Sequence, residues 1–172
     1  MMHSSFWQWA GFAFSTLAGT LLHFLYDWTN ESPLAAVFSG VNESTWEHMK
    51  LLYWPLLLLA IFQRVFYKED NYWNIKLAAA VLGITLIPVL FYTYNGMFGK
   101  SPDAVNIAIF YIAAAAASGL EWWAFRKNFF SWKHPQLALG AMIAIGLLFA
   151  VFTFFTPKIP LFQDPVTGGF GI

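Results

Sequence analysis

The stretch FSGVNESTWEHMKLLYWPLLLLAIF, residues 38–62, gathers Asn42, Glu43, Ser44, Thr45, Glu47, His48 and Lys50 into nine residues and then runs directly into apolar sequence. A polar cluster abutting an apolar run marks a helix that enters a hydrophobic phase with ionisable groups at its mouth. With its polar head, the run supplies the roughly 20 residues of helix that a bilayer core requires. The fold class then depends on whether the rest of the chain repeats this pattern.

It does. Of 172 residues, 59% are hydrophobic, 20% aromatic and 10% charged, against roughly 25% charged in a soluble domain. Too few charges remain to cover a globule, so most of the outer surface must face something apolar. Nine basic and nine acidic residues cancel and lie in short clusters between apolar runs. Nucleic-acid binding, which needs a basic face, is excluded as a partner class. The absence of cysteine excludes disulfides, thiolate metal sites and thiol nucleophiles.

Five stretches are long enough to span: roughly 6–28, 44–66, 74–95, 104–125 and 135–156. Lipid offers no partner for free backbone groups, so each is expected as helix. The fold class is therefore all-α, a polytopic transmembrane helical bundle forming one integral membrane domain over 1–172. The segment LAAVFSGV (34–41) is too short to span, and it follows Pro33. It is expected as a re-entrant or interfacial turn. The first span lacks a basic leader and is followed by further spans, so it is expected to be retained. The tail TPKIPLFQDPVTGGFGI (156–172) is rich in proline and glycine. It should leave the last helix as a non-helical outer tail over 157–172, folding back over one face.

Arg64, Lys68 and Lys76 flank one loop and Arg126, Lys127 and Lys133 another, against Lys50, Lys100 and Lys158 on the opposite side. The bias of positive charge toward the cytoplasm puts the N-terminus inside and the C-terminus outside. Trp7, Trp9, Trp28, Trp73, Trp122, Trp123 and Trp132 fall near expected span ends, where interfacial anchors sit. Glu121 is expected to pair with Arg126 or Lys127. The run AAAAASGL (113–120) reads as a close-packing face.

With this topology the polar groups converge near the outer surface. In GTLLHFLYDW (19–28), His23 and Asp27 are four apart and share a helical face. Gly11, Ser15 and Gly19 continue that face as a stripe over which a neighbour can approach closely. Glu43, Glu47, His48 and Lys50 begin the second span, Trp54 follows, and Tyr92, Tyr94 and Asn95 end the third. A structural account covers part of this set. Ser44-x-x-Glu47 is a capping box, Asn42 is an alternative cap, and Glu47 can pair with Lys50 three residues on. It leaves His23, Asp27 and His48, ionisable groups inside apolar sequence, which usually mark function or a paired interior site. Pro55 and Pro88 can kink their helices and widen the bundle.

The segments FSGVNESTWEHMKLLYWP, GTLLHFLYDW and LIPVLFYTYNG resemble an uncharacterised family of small bacterial multi-pass membrane proteins. That resemblance implies a bacterial cytoplasmic membrane. HFLYD in one helix, Glu47 ahead of Trp54-Pro55-Leu56 in the next, and TLIPVLF in the third are also similar to the EXPERA superfamily, which includes sterol Δ8-Δ7 isomerase and the sigma-2 receptor. This resemblance implies a bundle with a lipid-accessible cavity for sterols or amphiphilic amines. It also implies proton transfer by a histidine and acids, matched here by His23, Asp27 and Glu47. The chain departs from that pattern in having Asp27 where the superfamily has Glu, in its fifth span, and in the extra charges His48 and Lys50.

The first expectation is thus a polar pocket binding a lipophilic small molecule, with cationic amines and sterol-like rings as candidate classes. His23, Asp27 and Glu47 would be its catalytic candidates. Glu43, His48, Lys50, Trp54, Tyr92, Tyr94 and Asn95 would be its ligand contacts. The alternative is a metal-binding membrane hydrolase. His23, Asp27, Glu43, Glu47 and His48 are ligand types for Zn, Mn or Fe, although Glu47 and His48, being adjacent, diverge by about 100° on a helix. No organic cofactor is expected; a divalent metal is the one candidate. Transport, or an accessory role in a membrane complex or homo-oligomer, is the third reading, weakened by the lack of paired repeats. Binding and catalysis are both open at this point.

Overall fold

The computed structural model describes residues 5–130 and 134–172. Trp132 and Lys133, used above as an anchor and an inside charge, lie outside the described residues. Among the described residues the regular elements are helical: α1 Ser5–Trp28, α2 Pro33–Ala36, α3 Thr45–Gln63, α4 Tyr72–Phe98, α5 Asp103–Lys127 and α6 Pro135–Phe154. A 3₁₀ turn follows at Pro160–Phe162. The all-α expectation holds.

Three of these helices, α4, α5 and α6, are long and apolar enough to cross a membrane. The 24 residues of α1 and the 19 of α3 supply length. However, α1 is interrupted by Ser15, Thr16, Thr20 and His23, and α3 opens on Glu47, His48 and Lys50.

The core forms where α3 meets α4, α5 and α6. Leu52 and Tyr53 of α3, Ala79 and Ala80 of α4, Ala113 and Ala117 of α5 and Phe149 of α6 are all buried in it. The alanine run is a close-packing face, as its composition indicates. A Cβ on Gly83 would lie 3.1 Å from that of Ala117, so the α4 and α5 backbones approach as only small residues permit. The α1 stripe does the same on its own side. Ser15 is fully buried, and a Cβ on Gly19 would lie 2.6 Å from the Phe110 ring and 2.9 Å from the Leu51 carbonyl oxygen. Leu17, Leu21, Leu58, Ile61, Ile112, Ile143 and Leu147 point outward and are exposed. The outside of the bundle is therefore apolar.

After α1 the chain turns through Asn30 and Glu31, both at positive φ (52° and 60°), and dips back into the bundle. Ala36 and Ser39 are fully buried there. The Ser39 hydroxyl donates to the Leu22 carbonyl and accepts from the Tyr26 amide at 2.9 Å, so it sits within one turn of α1. Trp54 of α3 donates to the Val37 carbonyl at 3.0 Å. The expected short segment after the first helix is thus packed inside the bundle.

At the far end, Lys76 of α4 reaches Glu121 of α5 and Gln63 of α3. This corrects the expected pairing of Glu121 with Arg126 or Lys127. Glu121 is buried and faces α4, whereas Arg126 lies over the Trp122 ring, 4.8 Å from its centroid. Beside this pair, burial first, then the charges of Glu121 and Glu69, pushes the Tyr67 phenol up to about 12. Trp9 and Trp28 are exposed, Trp122 and Trp123 partly so, while Trp73 packs edge-on against Tyr72.

The tail folds back, as its composition predicts. Asn42 donates to the Gly171 carbonyl at 3.0 Å, and Phe162 lies on Trp46 at 4.6 Å between centroids. Gly171, at φ 66°, presses so closely on Thr156 that a Cβ would come within 2.3 Å of its hydroxyl oxygen.

Candidate functional site

The end of the bundle that carries the C-terminus of α1 and the N-termini of α3 and α5 contains the cluster. His23 is set on α1 one position after Leu22, where the Ser39 hydroxyl braces the helix. His48 is in the first turn of α3, which Ser44 caps by accepting from the Glu47 amide at 3.4 Å. Asn42 in turn fixes the Ser44 amide at 2.9 Å, closing an Asx turn that presents Glu43. A loop residue, a C-terminal helix turn and an N-terminal helix turn are thereby brought together.

The Glu43 carboxylate lies between the two imidazoles. Its Oε1 is 3.4 Å from His23 Nε2 and its Oε2 is 3.6 Å from His48 Nε2. The rings are 5.7 Å apart between centroids. His48 Nδ1 lies 3.0 Å from the Ser44 carbonyl. A carbonyl can only accept, so Nδ1 carries a proton, which leaves Nε2 as the ring atom that faces Glu43. One ligand atom each from His23, Glu43 and His48 lies within 4.8 Å of the others, so this group could hold a metal ion.

The three side chains line a cavity of about 660 Å³. Its apolar wall includes Phe24, Phe91, Ile107, Phe110 and Tyr111, and Asn95, Lys100, Ser101, Asp103 and Asn106 form a polar rim. Pro165 and Val166 of the tail line its open side. Asn95 is held by donating to the Phe91 carbonyl at 2.7 Å and accepting from the Ser101 amide at 2.9 Å.

Residues 1–172 match the model of a family of unknown function, DUF6512. The chain belongs to that family. No curated protein and no solved structure matches it. The similarity to sterol isomerase and the sigma-2 receptor therefore rests on the quoted segments alone. The family gives no residue a role, and the geometry sorts the candidates.

His23, Glu43, His48 and Asn95 come together at the cavity. Asp27 does not join them; it is exposed one turn beyond His23, with no ion pair to it among the described residues. Glu47 and Lys50 point the other way and pair at 2.5 Å, both almost wholly buried. Lys50 is completed by the Ala36 carbonyl and the Thr153 hydroxyl, each at 2.8 Å, and Glu47 accepts from the Val41 amide at 3.2 Å. The capping box is thus half formed: Ser44 caps, but Glu47 turns to Lys50 and Val41. Trp54 staples the short segment, Tyr94 packs at a tilt against Phe98 with 5.1 Å between centroids, and Tyr92 is exposed. Sequence reasoning missed Asn106, Ser101 and Lys100 on the rim. Their signal was present in KSPDAVN (100–106), a polar turn on the same side as His23.

Proposed function

We propose that the chain crosses a membrane five times, through α1, α3, α4, α5 and α6, with its N-terminus inside, and that its cavity binds a lipophilic small molecule. Three helices carry the composition of spans. The argument for α1 and α3 is that they pack along these and expose leucine and isoleucine on the same outer surface, a surface that water would penalise. The 24 residues of α1 rise about 36 Å at 1.5 Å each, enough for a bilayer core.

The observation that carries the binding reading is the cavity of about 660 Å³ with His23, Glu43 and His48 on one wall. Ligand pockets of about 300–1,000 Å³, apolar with a few convergent polar groups, suit drug-sized molecules. The ligand's polar or basic end meets the carboxylate of Glu43 and the two imidazoles, and its hydrophobic body lies along Phe24, Ile107 and Phe110. Sterols and hydrophobic amines have this shape. Proton transfer to such a ligand would fall to His23 and Glu43. Asp27 and Glu47, which the superfamily resemblance would nominate, are outside the cavity.

The test is equilibrium binding of a fluorescent sterol and of a hydrophobic amine to protein in lipid nanodiscs. Glu43→Gln should weaken the tighter of the two by roughly tenfold or more, the worth of a charge-assisted hydrogen bond. No binding of either probe by the unaltered protein, or equal binding by the variant, would remove the reading.

A further inference from the structure

We infer that His23, Glu43 and His48 bind one divalent transition-metal ion at the wall of the cavity. The inference does not depend on which molecule fills the cavity, because it rests on the ligand set itself. Two neutral imidazoles and one carboxylate suit Zn²⁺, Fe²⁺, Mn²⁺ or Co²⁺, whereas Ca²⁺ and Mg²⁺ take oxygen ligands.

The spacing fits. A tetrahedral ion with ligands near 2.1 Å holds neighbouring ligand atoms about 3.4 Å apart. His23 Nε2 lies 3.4 Å from Glu43 Oε1 and His48 Nε2 lies 3.6 Å from Glu43 Oε2, so each ring already has one carboxylate oxygen near that spacing. One ligand atom from each residue lies within 4.8 Å of the other two, so reaching a tetrahedral edge takes no more than about 1.4 Å, within reach of a change of side-chain rotamer. Glu43 has room to adjust, since its carboxylate is half-exposed and has no partner besides the two histidines among the described residues.

The orientation fits as well. A metal-bound histidine characteristically donates its other ring N–H to a carbonyl or carboxylate, which fixes the tautomer and aims the free nitrogen at the ion. His48 Nδ1 has this partner in the Ser44 carbonyl at 3.0 Å. Three protein ligands leave at least one coordination position open. Here that position faces the cavity, so the ion would be available to a bound molecule and not sealed off as a structural staple. Asp27 and Glu47, the other two carboxylates in the sequence-level ligand set, take no part.

The test uses the full chain in nanodiscs, stripped with a chelator, loaded with Zn²⁺ or Co²⁺ and desalted. Metal is then counted by elemental mass spectrometry. The expected result is one ion per chain in the unaltered protein and in Asp27→Asn. Glu43→Gln and His48→Gln should lose at least roughly tenfold in affinity, since even the outer partners of metal ligands are worth that much. Zn²⁺ should also slow carbethoxylation of His23 and His48 by diethyl pyrocarbonate in the unaltered protein, a readout that needs no variant. No stoichiometric Zn²⁺, Co²⁺, Mn²⁺ or Fe²⁺ in helical, folded protein would overturn the inference. So would an ion retained by both Glu43→Gln and His48→Gln, or unprotected histidines.

Discussion

Lys50 Nζ meets Glu47 Oε2 at 2.5 Å in a part of the bundle where both side chains are almost wholly buried. The pair joins α3 to the Ala36 carbonyl and to Thr153 of α6, so its role is to hold the short segment and the last helix against α3. Lys50→Met should leave the Glu47 carboxylate buried without its countercharge and cost about 3–5 kcal/mol. Thermal unfolding in detergent would read this as a drop on the order of 10 °C for a chain of this size. Glu47→Leu combined with Lys50→Met should recover most of that loss. Lack of recovery would mean that the pair does more than neutralise itself.

Gly19 marks where α1 touches both α3 and α5. Gly19→Leu has no space, since the first added carbon already collides with the Phe110 ring and the Leu51 carbonyl. Overpacking of this kind costs about 1–3 kcal/mol or more. Gly140 on α6 faces open space, so Gly140→Ala should be neutral or raise stability by up to about 1 kcal/mol, the helix-propensity difference. Melting temperatures of the two variants, measured side by side, check the contrast.

Thr20 lines the cavity, and among the described residues its hydroxyl bonds only to the Thr16 carbonyl one turn back, at 2.9 Å. Thr20→Trp should therefore fill the cavity without breaking a contact between helices. Sterol or amine binding should fall by roughly tenfold or more while the melting temperature stays within a few degrees, because surface substitutions away from such contacts cost about 0.5 kcal/mol or less. Undiminished binding would place the ligand elsewhere.

The absence of cysteine makes topology directly measurable. Asn30→Cys lies in the turn after α1, at the cluster end, and Lys68→Cys in the loop between α3 and α4. In intact cells a membrane-impermeant maleimide should label the first and spare the second. The reverse pattern would invert the proposed orientation, and labelling of both would contradict an odd number of crossings between them.

Much of the fold was legible because its signal is local. Each long apolar run became a helix, the alanine run and the Gly11-Ser15-Gly19 stripe became close contacts, and Pro33 opened the short segment. The partners of the charges were less legible, because partner choice is a tertiary event. Glu47 and His48 are neighbours in sequence, yet about 100° of helix rotation separates them, which sends His48 to the cavity and Glu47 to Lys50. Nothing within α5 announces that Glu121 will choose Lys76, 45 positions earlier, over Arg126 five positions later. Asp27 shares a helix face with His23 but sits one turn further out, past the point where the bundle covers it. Glu43 was legible as a polar residue and not as the centre of the cluster, since its place depends on the Asn42–Ser44 turn and on how closely α1 approaches α3.

The central claim is that Glu43 sits between His23 and His48 on the wall of an amphiphile-sized cavity. An experimental density map of the protein in lipid nanodiscs, at side-chain resolution, tests it most directly. The account predicts the three side chains in contact and non-protein density extending from them along Ile107 and Phe110. A cavity closed by protein side chains, or His23 and His48 turned to opposite sides of α1 and α3, would contradict it.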